Sequence, residues 1–168
     1  MARIFVTVGM GPWPFDRLVR ALTPLCADHE VFAQTGTSVI RPPCPHRGFL
    51  VFDEFQARIQ DADLVICHAG NTVRVVQRLG KVPVAVARQA AFGEMGNDHQ
   101  VHYLRKEAAS GPVLALWDLR DLSRLVAAHP AEQTRLLRER SVPAAASATD
   151  IIAVLDSLSA RLCGDGHG

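Results

Sequence analysis

Residues 62–80 read ADLVICHAGNTVRVVQRLG, and this stretch decides the fold. Leu64-Val65-Ile66-Cys67 is a continuous apolar run, the pattern of a strand buried on both faces of a parallel sheet. His68-Ala69-Gly70 interrupts the run, and Val73, Val76 and Leu79 then recur at helical spacing. A strand entering a glycine turn that opens a helix aims backbone N–H groups and the positive end of the helix dipole at one spot. Such a spot suits an anion, and the expected ligand is a nucleotide diphosphate.

Working outward, Ile4–Val8 is β-branched and aromatic and predicts an N-terminal strand ending at Gly9. Phe15 opens one amphipathic helix with Leu18, Val19, Leu22 and Leu25 on its apolar stripe. Glu30–Gln34 predicts a second strand, closed by Thr35-Gly36-Thr37-Ser38. The proline-rich Arg41–His46 predicts a loop, Phe49–Phe52 a third strand, and Asp53 the cap of a helix running to about Asp61. Downstream, Val82–Ala87 predicts a strand and Arg88–Gly96 a mobile loop. Asn97 is the expected cap of a helix through Ala108, and Gly111 its stop. Val113–Trp117 predicts the last strand, followed by a short helix capped by Asp118 and carrying Leu119, Leu122, Leu125 and Val126. Residues 141–149 read as a linker, and 150–163 as a terminal helix with Ile151, Leu155, Leu158 and Leu162 on one face. The expectation is a Rossmann-like α/β sandwich, a parallel sheet between helices, over residues 1–140.

The chain has 168 residues, 48% apolar and 21% charged, with a net charge of +1. That length supports one well-filled domain, and the near-neutral total makes no electrostatic case for nucleic acid. Cys26, Cys44, Cys67 and Cys163 are scattered with no C-x-x-C pair, which favours reduced thiols and a cytoplasmic setting. The apolar run after Arg3 is five residues, too short for a signal peptide, and no run approaches the roughly twenty needed to span a bilayer.

In open α/β sheets ligands bind beyond the carboxyl ends of the strands. Four expected strand ends carry candidate residues: Gly9 and Gly11; Gly36, Thr37 and Ser38; His68, Ala69, Gly70, Asn71 and Thr72; and Arg88. Gly9-Met10-Gly11 is not a dinucleotide fingerprint, because Pro14 occupies the third glycine position. No Walker lysine motif and no G-x-S-x-G elbow occur. Asp61-Ala62-Asp63 matches a D-x-D pattern but precedes the buried strand, away from the ligand edge. His99 and His102 lie one helical turn apart without an evident third ligand, so no metal is expected.

Together these landmarks resemble the C-terminal, donor-binding half of family 28 glycosyltransferases. The likeness is to the small stand-alone subunits of two-part UDP-GlcNAc transferases and of bacterial exopolysaccharide transferases. It is carried by Ile4–Gly9, Pro14–Val19, Ala33–Ser38, Ala62–Gly70, Leu79–Lys81, Gly93-Glu94 and Asn97-Asp98-His99-Gln100, spanning residues 3–128. The resemblance implies half of a GT-B enzyme that binds a UDP-sugar with no metal cofactor. It places the diphosphate on the His68-Ala69-Gly70 turn and the next helix, with Gly36-Thr37-Ser38 close by and Gln100 on the donor sugar. It implies a membrane-anchored partner subunit supplying the acceptor site, and membrane contact only through that partner, for which the terminal helix is a candidate docking element. Three features depart from the family, one being Val82, which breaks the usual G-K-P spacing before the next strand. The turn is one residue short, with Asn71 where a second glycine is usual, and the ribose-holding glutamate falls at Val75 or a neighbour. Arg74 is left with two readings, a diphosphate contact or a solvent-facing charge. Two functional expectations follow, a sugar-transfer subunit and a non-catalytic nucleotide-binding regulator. An unrelated hydrolase or epimerase is the remaining alternative, although the similar 2-epimerases carry both halves in one chain.

Overall fold

β4 (Leu64–His68) lies at the centre of the sheet, as its unbroken apolar run requires. A computed structural model describes residues 1–141. The parallel six-stranded sheet has the order β3-β2-β1-β4-β5-β6, with β1 Arg3–Thr7, β2 Glu30–Gln34, β3 His46–Arg47, β5 Val84–Val86 and β6 Leu114–Ala115. β1 is flanked by β2 in the register Thr7↔Gln34 and by β4 in the register Thr7↔Cys67. Successive side chains of a strand face opposite ways, so the two sheet faces build two cores. Leu64 and Ile66 join Ile4, Val6 and Val8 beneath α1 (Asp16–Arg20), α2 (Thr23–Asp28) and α6 (Leu122–Glu139). Val65 and Cys67 join Phe5 beneath α3 (Phe52–Asp61), α4 (Asn71–Arg78) and α5 (His99–Ser110). The helices on both faces and the all-parallel pairing establish the Rossmann-like α/β class. Val73 and Val76 are the fully buried anchors of α4. Burial of each such side chain contributes about 1.5–3 kcal/mol.

Several local expectations are corrected. The third strand is His46–Arg47, not Phe49–Phe52. Pairing begins in the proline stretch, where the Pro45 carbonyl accepts from Ala33 N–H at 3.0 Å. A proline lacks only the donor, so it can flank an edge strand. Phe49, Val51 and Phe52 are exposed instead, and α3 starts at Phe52 with Val51 as its N-cap, leaving Asp53 and Glu54 to complement the dipole in the first turn. The first helix is two, because Pro24 starts a new one in the first turn of α2. The segment after β5 is not a free loop. It contains a 3-10 turn (Ala90–Phe92), and buried Glu94 holds Arg17 of α1 through two hydrogen bonds of 2.8 and 2.9 Å.

The helix expected to be short after Asp118 runs instead for 18 residues as α6, through Pro130. Its His129 Nε2 donates to the Val82 carbonyl at 2.8 Å, and Gln133 Oε1 accepts from Val82 N–H at 3.1 Å. These polar side chains fasten the extension to the start of β5, a role that an apolar-stripe reading does not register. Asp118 does cap, accepting from Arg120 N–H at the 3-10 turn Leu119–Asp121. The expected linker at 141–149, apart from Ser141, and the terminal helix at 150–163 lie outside the described residues. Among the described residues no helix is long and apolar enough to cross a membrane.

Candidate functional site

From β1 the chain moves to β2 on one side, and from β4 it moves to β5 on the other. The connections diverge above this pair and leave a crevice at the carboxyl edge, the place where doubly wound sheets bind ligands. A cleft of about 420 Å³ occupies it. Gly9, Gln34, His68, Asn71 and Thr72 form its polar side, and Leu50, Phe52, Phe55 and Val75 its apolar side, with Met10 at the rim. A second cavity, of about 390 Å³, lies at the opposite edge around Arg3, Phe32 and Arg58. There Asp63 accepts from the Arg3 backbone N–H at 2.8 Å, so the D-x-D aspartate is committed to closing the start of β1.

His68 is the centre of the crevice. Its imidazole stands between two glycines: a Cβ on Gly9 would lie 2.5 Å from His68 Cε1, and a Cβ on Gly70 would lie 2.4 Å from His68 Nε2. Gly9 also has φ +84, a left-handed value that disfavours side chains. Burial, and secondarily the charge of Arg88, pushes the His68 pKa down to about 4, so the ring is neutral at pH 7. Its Nδ1 is buried without a partner. Gly70 is the N-cap of α4, and no side chain caps that helix. The first-turn amides and the positive dipole end of α4 therefore open beside His68, Asn71 and Thr72.

The sequence-derived candidates divide into those that converge here and those that do not. Gly9, His68, Asn71 and Thr72 line the cleft, with Ala69 and Gly70 in the same turn. Gly36, at φ +54, backs it, since a Cβ there would lie 2.9 Å from Val8 Cγ2 and 3.0 Å from the Gly9 carbonyl. Gly11 and Thr37 are exposed loop positions outside the lining. Ser38 is buried, and its Oγ accepts from Phe15 N–H at 2.9 Å, which ties the β2 loop to the start of α1. Arg88 is 3% exposed, and its Nη2 donates to the carbonyls of Val8 and Trp13 at 2.8 and 2.9 Å. Burial lowers its pKa to about 10, and its charge acts on the crevice from inside the protein.

Asn97, Asp98, His99 and Gln100 sit one strand further along the edge, at the start of α5. Gln100 is buried with Oε1 accepting from Arg88 N–H at 3.0 Å. Asp98 Oδ1 accepts from Ala90 N–H at 2.8 Å, and Asn97 Oδ1 accepts from His99 N–H at 3.2 Å. Scanned against protein-family models the chain matches none, and a search of curated proteins finds no match. Neither sequence reading of Arg74 describes its contact, because it forms an ion pair with Glu107 of α5 whose side chain is 3% exposed. Among the described residues no three His, Cys, Asp or Glu side chains are grouped as a metal site.

Sequence reasoning did not single out Gln34 as a site residue, nor the wall of Leu50, Phe52 and Phe55, and it met Val75 only as the position of the family's ribose-holding glutamate. The available signal was a polar residue closing the otherwise apolar Val31-Phe32-Ala33, at the ligand end of a strand.

Proposed function

We propose that this chain is the donor-binding half of a sugar transferase that takes a nucleoside-diphosphate sugar, with UDP as the expected nucleotide. The carrying observation is the crevice at the switch point, where a neutral histidine held between two glycines stands at the uncapped start of α4. Two glycines at the closest approach let backbone come within contact distance of a ligand, and an uncapped helix start supplies N–H groups to a diphosphate. The aromatic and aliphatic wall supplies a surface for a base. As the glycosidic bond breaks, negative charge grows on the departing nucleotide, and fixed amide dipoles stabilise it without reorganising. His68, being neutral, adds a hydrogen-bonding nitrogen there.

Eight exposed large apolar residues, Met10, Trp13, Val39, Phe49, Val51, Phe52, Phe92 and Trp117, all lie at the carboxyl edge of the sheet. An apolar rim on that scale around a ligand cleft favours a covering partner, in this reading the membrane-anchored subunit that supplies the acceptor. Among the described residues the cleft lining includes no carboxylate, which favours a second reading, a nucleotide-binding regulator without transfer activity. Calorimetric titration of the full chain with UDP and UDP-sugars tests the common part. The expected result is saturable binding, lost in Gly70→Asp. Absence of binding by the chain, alone and with its partner, overturns both readings, whereas binding without sugar transfer by the complex selects the second.

A further inference from the structure

We infer that Gln34 is a ligand-binding residue of this cleft, its carboxamide Nε2 donating to an oxygen acceptor of the bound molecule. Gln34 ends β2 and is 1% exposed, yet it lines the cleft beside Gly9, His68 and Thr72. The Thr7 hydroxyl donates to Gln34 Oε1 at 2.6 Å and itself accepts from Gly9 N–H at 3.2 Å. This relay orients the amide. The hydroxyl proton has Oε1 as its acceptor, so Oε1 is the atom turned toward Thr7 and the NH2 group is turned away. Nε2 is buried and has no protein partner. A buried donor left unpaired is costly, and a site that keeps one gains selectivity for molecules that complete the bond.

The other unpartnered buried atoms differ in setting. Arg74 Nη1, Gln77 Oε1, Tyr103 Oη and Glu107 Oε2 belong to α4 and α5, and Arg88 Nε lies just after β5, all outside the cleft lining. Among the described residues only Gln34 Nε2 and His68 Nδ1 are unpartnered and belong to residues that line it. Among the described residues no lysine or arginine lines the cleft, so recognition of the oxygen falls to neutral donors. The relay also links ligand contact to the loop after β1, since the Gly9 amide that holds Thr7 belongs to the residue packed on His68.

The inference rests on the nucleoside-diphosphate reading, and the test separates the two. The full chain and Gln34→Leu are titrated with UDP, uridine and inorganic pyrophosphate. The expected result is UDP binding about tenfold weaker in Gln34→Leu, equivalent to about 1.4 kcal/mol. A matching loss for uridine but not pyrophosphate assigns the acceptor to the nucleoside, and the converse assigns it to the diphosphate. Wild-type binding with equal affinity in Gln34→Leu overturns the inference and leaves the function standing. No binding by the wild type, alone and with its partner, removes both. Should Gln34→Leu fail to fold, the assigned side-chain NH2 resonances of Gln34 in the wild type serve instead: a shift on adding UDP supports the contact, and its absence overturns it.

Discussion

Gly70→Ala is the sharpest probe of the crevice. Gly70 has φ −151, an extended conformation that alanine adopts freely, so backbone strain contributes little. The obstacle is His68, whose Nε2 and Cδ2 would lie 2.4 and 2.8 Å from the new methyl carbon. The ring cannot retreat, because the Gly9 backbone closes its other side, where a Cβ would already lie 2.5 Å from Cε1. Forcing a methyl into such a packed slot costs about 1–3 kcal/mol, which at this size lowers the melting temperature by about 2–4 °C per kcal/mol. Urea unfolding should show the loss in Gly70→Ala but almost none when the same change is made in a His68→Ala background. The coupling between the two sites should then match the whole penalty. Gly9→Ala should differ, keeping about 1 kcal/mol of its cost in the His68→Ala background because φ +84 stays unfavourable to an L side chain. Equal losses for Gly70→Ala in both backgrounds would refute the slot.

Two further outcomes follow from the same geometry. The folded chain keeps His68 neutral, with its pKa pushed down to about 4 by burial first and Arg88 second, whereas in the unfolded chain it titrates near 6.5. Its contribution to stability is therefore full above pH 6.5 and falls as pH drops from 6.5 toward 4, by at most about 1.4 kcal/mol per pH unit. Burial also lowers the pKa of His129, which adds in the same direction. His68→Asn should flatten the wild-type curve between pH 6.5 and 4 in urea titrations, and superimposable curves would exclude His68 as a cause. Arg74→Met should cost about 3 kcal/mol because it strands the buried Glu107 carboxylate, while adding Glu107→Leu should recover most of it. A double variant as unstable as the single one would show that the ion pair is not the source.

Much of the fold was legible because its strongest signals are local. The run Leu64–Cys67 read as a buried strand because a glycine turn and a helical pattern follow it, Glu30–Gln34 was bounded at both ends, and Val73 and Val76 at helical spacing marked α4. The four-residue run Phe49–Phe52 misled for a complementary reason. A short apolar stretch carries no period that separates strand from helix, and here Phe49, Val51 and Phe52 stay exposed at the carboxyl edge while Leu50 alone is buried. The extent of α6 escaped because its attachment at His129 and Gln133 is polar and 47 to 51 residues distant from Val82.

The candidate site divides along the same line. Its turn, His68-Ala69-Gly70 opening a helix, was readable because strand, glycine and helix are adjacent in the chain. Which other strand ends join it was settled by strand order: β1 and β2 bring Gly9 and Gln34 to His68, whereas Arg88 after β5 is held behind the lining by the Val8 and Trp13 carbonyls and by Gln100 of α5. The sequence by itself determined the periodicities, and with them a parallel α/β sheet and a strand–glycine turn–helix at its centre. Only the tertiary structure decided that Gly9 and Gly70 clasp one imidazole, that Arg74 answers to Glu107, and that Gln34 keeps an unpaired donor at the cleft. Periodicity records which way a side chain faces relative to its own neighbours, whereas pairing across the sheet and between helices depends on register between segments far apart in the chain.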